Sequence, residues 1–325
     1  MPITVGPKLL DIMSAAVAAD VPALLIGGTG IGKSEIVAAL AAKLGVRHLV
    51  RDLSLMEPCD LTGLPILTDI KTTSFAAPDF LPRDGRGIIM FEELNRAPPY
   101  MLAPTLELLT SRRLNDYVLP CGWVPMAAIN PATDDAYVGT RQLDAALEAR
   151  FMKIEVVASA KEWVAWAEGH DVHRDVIGFV RTTPHIFDAR ESNPRAWTMV
   201  SKVLRHVPGD QVDKAMLLPM LTGLVGEDMA VGFLRFMRGD RTKLIAPNDV
   251  LQRYASVAKQ VKALAKANDT AVLHALVHGV LVIAQDPGRR TTDADEAVQR
   301  RHLEAFAKDL PAEFRRRIQE HLDDA

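Results

Sequence analysis

Cysteine is close to absent from this 325-residue chain: Cys59 and Cys121 are the two it has, far apart and in no paired pattern. That excludes a disulfide scaffold and fits a reducing compartment. An excess of either charge is lacking too, since 38 Lys and Arg stand against 41 Asp and Glu, for a formal net charge of -3. The global basic footprint of a nucleic-acid binder is therefore missing, as is an acidic tail. The opening "MPITVGPKLLDIM" has no charged segment followed by an apolar core and a small-residue cleavage site, so no secretory leader is read there. No run reaches the length of a membrane span; "AVLHALVHGVLVIA" falls short of it and carries two histidines. A cytoplasmic protein with no membrane contact is the expectation.

What the chain does have is enough apolar residue, 48% against 24% charged, to build one large domain or two ordinary ones. Its first half alternates short β-like runs with helical patterns, which predicts an α/β layer on a mainly parallel sheet. The candidate strands are "PALLIG" (22–27), "HLVRDL" (48–53), "GIIMF" (87–91), "VPMAAIN" (124–130) and "FMKIEV" (151–156). In "RRLNDYVLPCGWVPM" the alternation around the turn-like "LPCGW" predicts a β-hairpin feeding the fourth strand. After Val157 helical periodicity takes over, with a break at "RGDRTKLIAPND". The expected division is an α/β domain at 1–157, a helical domain at 158–240 and a helical extension at 241–325.

Directly after the first of these strands comes "GGTGIGKS", which matches G-x-x-x-x-G-K-[ST] from Gly27 to Ser34, and "EIVAALAAKLG" follows as a helix. Strand, glycine loop and helix in that order form a phosphate cradle. The glycines let the backbone curl so that successive N–H groups of Gly27, Gly28, Thr29, Gly30, Ile31 and Gly32 turn inward, aided by the positive end of the helix. Lys33 then reaches the outer phosphates and the Ser34 hydroxyl binds Mg²⁺. A nucleoside triphosphate with Mg²⁺ is the expected ligand.

A loop of this kind needs a second strand ending in an acid that helps hold Mg²⁺, often followed by a glutamate that polarises the attacking water. "IIMFEE" has that form: Glu92 is the candidate metal residue and Glu93 the candidate catalytic base, one pleat apart. The metal-side position usually holds aspartate, and the extra methylene of Glu92 predicts slow turnover.

Several segments together resemble the MoxR group of AAA+ ATPases. "EELNRAPP" is similar to its D-E-[IL]-N-R-A-P-P segment, departing at Glu92, and "EPCDLTGLP" resembles its acidic D-L-x-G segment. "AAINP" resembles the first sensor, carried by Asn130 and implying that it lies beside Glu93 to orient water or read the γ-phosphate; "LDAALEARF" the arginine-finger segment, carried by Arg150; and "SNPRAW" the second sensor, carried by Arg195. The resemblance implies a P-loop NTPase of α/β class: an AAA+ core with a parallel five-stranded sheet flanked by helices, then an all-helical lid and a helical C-terminal extension. It further implies ATP and Mg²⁺ as cofactors and a homo-hexamer whose finger arginine acts on the neighbouring subunit. The implied partner is a von Willebrand factor A domain protein or another protein to be remodelled.

On that basis the expected function is an ATP hydrolase driving a ring-forming, chaperone-like motor. The loops around "LTDIKTTS" and "RLNDYVLPCGW" would then line the pore, with Lys71 and Tyr117 as contact points. A nucleotide-gated scaffold that hardly hydrolyses is the first alternative, and a DNA-directed motor the second. The chain has no N-K-x-D guanine-reading segment and no L-S-G-G-Q segment of transporter ATPases. Other features read as structure. His274 and His278 are four apart on a helix but have no metalloprotease glutamate between them. "EFRRRIQEH" interleaves acids and reads as a solvated helix face, and Trp163, Trp166 and Trp197 as core or lid packing.

Overall fold

A computed structural model describes residues 2–132, 139–206, 214–238, 245–267, 270–285 and 296–324. The chain divides into two compact units, Met1–Trp163 and Val164–Ala325. The expected boundary near residue 240 falls outside the described residues.

The first unit holds strands β1 (Ile3–Thr4), β2 (Ala23–Ile26), β3 (Arg47–Asp52), β4 (Leu64–Asp69), β5 (Thr72–Ala76), β6 (Gly87–Glu92), β7 (Arg113–Leu114), β8 (Tyr117–Val118), β9 (Trp123–Ile129) and β10 (Met152–Val157). Six of them form one parallel sheet in the order β1-β10-β2-β9-β6-β3. The five expected strands are its body, and the two-residue β1 extends one edge. Its helices are α1 (Pro7–Ala18), α2 (Lys33–Leu44), α3 (Pro58–Thr62), α4 (Pro99–Ser111) and α5 (Ala145–Glu148); α6 (Ala160–Glu168) follows β10.

Strand alternation sorts the side chains onto two faces, each covered by helices. Leu25, Ile88, Met90, Met126 and Ala128 pack with Leu9 and Met13 of α1 and with Ile36, Val37 and Leu40 of α2. Leu24, Ile89, Phe91, Ala127 and Ile129 pack instead with Leu61 of α3, Met101 and Leu108 of α4 and Leu147 of α5. Strands buried on both faces read as unbroken apolar runs, which is why they were legible.

Two hairpins stand outside the sheet, β4–β5 and β7–β8, both antiparallel. The β7–β8 turn is made by Asn115 and Asp116, with Asn115 at φ 49°, and not by "LPCGW" as expected. Asn tolerates the left-handed region, so two residues close the turn and "LPCGW" is left as the run into β9. Tyr117 is also misread as a pore contact. It is 8% exposed and its hydroxyl donates to the Pro82 carbonyl at 2.7 Å, whereas Ile70, at the β4–β5 tip, is 96% exposed.

The second unit is helical: α7 (Arg174–Thr182), α8 (Pro194–His206), α9 (Lys214–Val225), α10 (Glu227–Met237), α11 (Pro247–Lys266), α12 (Thr270–Gln285), α13 (Glu296–Asp309) and α14 (Ala312–Asp324). Phe179, Trp197 and Phe233 join α7, α8 and α10 through tilted and edge-on ring contacts. Val250, Leu273, Phe306 and Ile318 are among the side chains that join α11 to α14 in one core. Trp163 and Trp197 are buried as expected; Trp166 is not, and stacks on His170 at the surface. Arg315, in the basic cluster of α14, donates to the Ala307 and Leu310 carbonyls and so caps α13. His274 lies edge-on to Phe314 and 3.7 Å from Glu227, and no group of three metal-capable side chains occurs among the described residues. No helix among them is long and apolar enough to cross a membrane.

Candidate nucleotide site

Parallel strands bring their C-terminal ends to one edge of a sheet, and in this sheet that edge gathers the candidate residues. Ile26 at the end of β2 pairs with Ile129 at the end of β9, and Gly27 N–H continues the ladder by donating to the Ile129 carbonyl at 3.2 Å. Asn130 is thereby fixed beside the glycine loop. One strand further, β6 ends in Glu92, and its partner residue on β3 is Asp52.

The loop from Gly27 to Gly32 calls for glycine at two points, once for a close contact and once for its backbone. A Cβ on Gly27 would lie 2.4 Å from the Val156 carbonyl oxygen, so β10 can pass close only because none is there. Gly32, the N-cap of α2, sits at φ 100° in the left-handed region. Ile31 packs into the α1–α2 cluster and anchors the loop.

Lys33 opens α2, and its ammonium donates to the carbonyls of Gly27 at 2.6 Å and Gly28 at 2.8 Å and to Asn130 Oδ1 at 3.0 Å. Asn130 Nδ2 in turn donates to both carboxylate oxygens of Glu93, each at 3.1 Å. A continuous chain thus runs Lys33, Asn130, Glu93. Arg96 Nη1 stands 3.8 Å from Glu93 Oε2.

Glu92 and Glu93 part company by backbone geometry. Glu92 is in register with Ile88 and Met90, so alternation turns it toward the face that α2 covers. Glu93 leaves the strand at φ 53°, ψ 35°, and this left-handed step breaks the alternation expected from the pleat and brings its carboxylate to Asn130. His48 of β3 is in register with Ile88 of β6: burial holds its pKa below the usual imidazole range, and the charge of Glu92 opposes that shift.

The donor set suits a polyphosphate. No side chain caps α2, its N-cap is glycine, and the first N–H groups of a helix have no intrahelical acceptor, so they and the Lys33 ammonium are fitted to bind oxyanions. Ser34, half-buried in the first turn of α2, and Glu92 supply the hard oxygens that Mg²⁺ takes. Bound there, the ion would neutralise charge on the outer phosphates.

Arg150 takes no part in this chain of contacts, and Arg195 belongs to the second unit. Arg150 is exposed beyond α5, with Nη1 donating to the Ala146 carbonyl at 2.5 Å. Arg195 is exposed in the first turn of α8, a helix of the second unit whose Ala196 N–H is capped by Asn193 Oδ1 at 3.0 Å. Sequence reasoning passed over Asn95, whose Nδ2 donates to the Asn130 carbonyl at 2.8 Å. Its one signal was its place in "EELNRAPP".

No protein-family model matches the chain. No curated protein matches it either. Among solved structures it is similar to the Thermotoga maritima RuvB Holliday junction branch migration motor, at 14% identity over 81% of this chain and 80% of that one, with a TM-score of 0.42. It is also similar to Brucella abortus NtrX in complex with ATP, at 15% identity over 68% of this chain and 52% of that one, with a TM-score of 0.43. The functional reading therefore rests on the residues of the site.

Proposed function

We propose that this protein is an ATP hydrolase of the MoxR-like AAA+ type, a ring-forming motor that remodels or matures a protein partner. The observation that carries the reading is the contact chain from Lys33 through Asn130 to Glu93, which joins a phosphate loop to a carboxylate able to take a proton. The loop residues Gly27 to Gly32 bind the phosphates through their N–H groups, Lys33 meets the outer phosphates, and Ser34 and Glu92 hold Mg²⁺.

Glu93 accepts a proton from water as the water oxygen bonds to the γ-phosphorus; the bond to the bridging oxygen breaks and ADP leaves with its electron pair. Asn130 orients that water or reads the γ-phosphate. Arg150, reaching in from the neighbouring subunit of a homo-hexamer, and Arg195 on its lid helix neutralise the charge spread over the transferring group. The remodelled partner is a von Willebrand factor A domain protein or a substrate presented by one.

The test is ATP hydrolysis measured across protein concentration for the native chain, Lys33→Ala, Glu93→Gln and Arg150→Ala. Activity per subunit is expected to rise with concentration and to be lost in all three variants, with partial recovery when Arg150→Ala and Glu93→Gln are mixed. A native chain that turns over no faster than Glu93→Gln sinks the hydrolase reading; absence of recovery on mixing sinks the shared site.

A further inference from the structure

The short turn Leu94–Arg96 after Glu93 contains a buried amide, Asn95, at 1% exposure. A side chain with two donors and an acceptor is costly to bury unless it is bonded. Asn95 Nδ2 donates to the Asn130 carbonyl at 2.8 Å, while the backbone carbonyl of Asn95 accepts from Arg141 N–H at 2.9 Å. Its Oδ1 is buried with no partner among the described residues. The neighbours Leu94 and Ala97 show that apolar side chains fit this turn, so filling space does not account for an amide here.

What the amide does follows from where the sheet ends. The β6–β9 ladder stops at Phe91 and Ala127, three residues short of Asn130, while the β2 side continues to Ile129. On its β6 side the Asn130 backbone therefore has no ladder bond to hold it, and the Asn95 side chain supplies one. We infer that Asn95 is a positioning residue: it ties the turn that carries Glu93 to the end of β9, and so keeps the Asn130 amide across the Glu93 carboxylate. Through its own carbonyl it also fixes Arg141, in the segment that leads to α5 and Arg150. The catalytic consequence rests on the hydrolase reading; the tether does not.

The experiment compares the full-length native chain with Asn95→Ala, Asn130→Ala and the double variant. Asn95→Asp, which keeps the volume but lacks the Nδ2 donor, guards against a variant that merely collapses. Melting temperature reports folding, a fluorescent ATP analogue reports affinity, and the side-chain amide NMR signal of Asn130, identified by its loss in Asn130→Ala, reports the tether. In Asn95→Ala and Asn95→Asp that signal is expected to move toward the position of a solvated asparagine. Turnover should fall about ten- to a hundredfold with affinity within about threefold of native. The double variant should be no slower than Asn130→Ala, because Asn95 acts through Asn130. An unmoved amide signal, or effects that multiply in the double variant, overturns the inference. If the native chain shows no Lys33-dependent turnover, the hydrolase reading falls, and the amide signal alone decides the tether.

Discussion

Asn130 and Glu93 meet through a forked contact: the Nδ2 of Asn130 lies 3.1 Å from each carboxylate oxygen of Glu93 while its Oδ1 accepts from Lys33. The amide orientation is forced, since reversing it would set NH₂ against an ammonium and C=O against a carboxylate. Replacing it by a carboxylate keeps the acceptor for Lys33 but sets like charges together at Glu93. Asn130→Asp is accordingly expected to lower turnover about a hundredfold while leaving nucleotide affinity close to native. Equal losses in affinity and turnover would show that Asn130 holds the loop and not the carboxylate.

Gly27 and Gly32 predict different kinds of damage in one loop. At Gly27 a methyl would meet backbone, the Val156 carbonyl oxygen at 2.4 Å, along with Ile31 Cδ1 at 2.7 Å, so β2 and β10 must separate. At Gly32 the nearest atom, Val5 Cγ1, is 3.5 Å away, and the cost is the left-handed backbone at φ 100°. Denaturant unfolding should register Gly27→Ala as a loss of about 3 kcal/mol and Gly32→Ala as a loss of about 1 kcal/mol. A reversed ranking would mean that the loop relaxes away from β10 at little cost.

The parts of this fold that were legible are those whose burial leaves a pattern. Leu24, Leu25, Ile88, Ile89 and Met90 are fully buried, and such runs read as central strands. Every residue of β4 is exposed, so no alternation marked it, and a two-residue β1 is too short to carry any. The loop, the two glutamates and Asn130 were readable as types at spacings. The resemblance to a first sensor also placed Asn130 beside Glu93, where it lies; what left no pattern is the means, a left-handed backbone at Glu93 and a bond from Asn95 to a residue 35 positions away.

Glu92 sets the metal side of the proposed reaction. It is half-buried at the end of β6 and turned toward the α2 face, so its carboxylate stands one methylene further from the strand than an aspartate would. If that reach crowds the ion, Glu92→Asp should raise turnover about tenfold at saturating Mg²⁺ and lower the Mg²⁺ concentration needed for half-maximal rate. Steady-state rates across a Mg²⁺ series decide it. Unchanged turnover would remove the extra methylene as a brake.

Asp228 offers a prediction independent of nucleotide. It lies in the first turn of α10, packed so closely on α12 that a Cβ on Gly279 would sit 2.4 Å from its Oδ2, and its buried Oδ1 has no partner among the described residues. Burial, reinforced by the charges of Glu227 and Glu191, raises its pKa from 3.8 to about 7. The sign is then fixed. The unfolded carboxyl ionises from pH 3.8 upward while the folded one keeps its proton, so between these values the native state binds more protons and loses stability as pH rises. The stabilisation is whole below the unfolded pKa and gone above about pH 7. The loss approaches about 1.4 kcal/mol per pH unit inside that window. Asp228→Asn cannot ionise, so its stability relative to the native chain should climb between pH 4 and 7 and level off by about pH 8, by about 2–4 kcal/mol in all. Denaturant melts followed by tryptophan fluorescence across that range measure the difference, and the other carboxylates cancel in it. A difference that stays flat with pH would mean that Asp228 is already ionised at its place between α10 and α12, with its charge met by a group in the second unit.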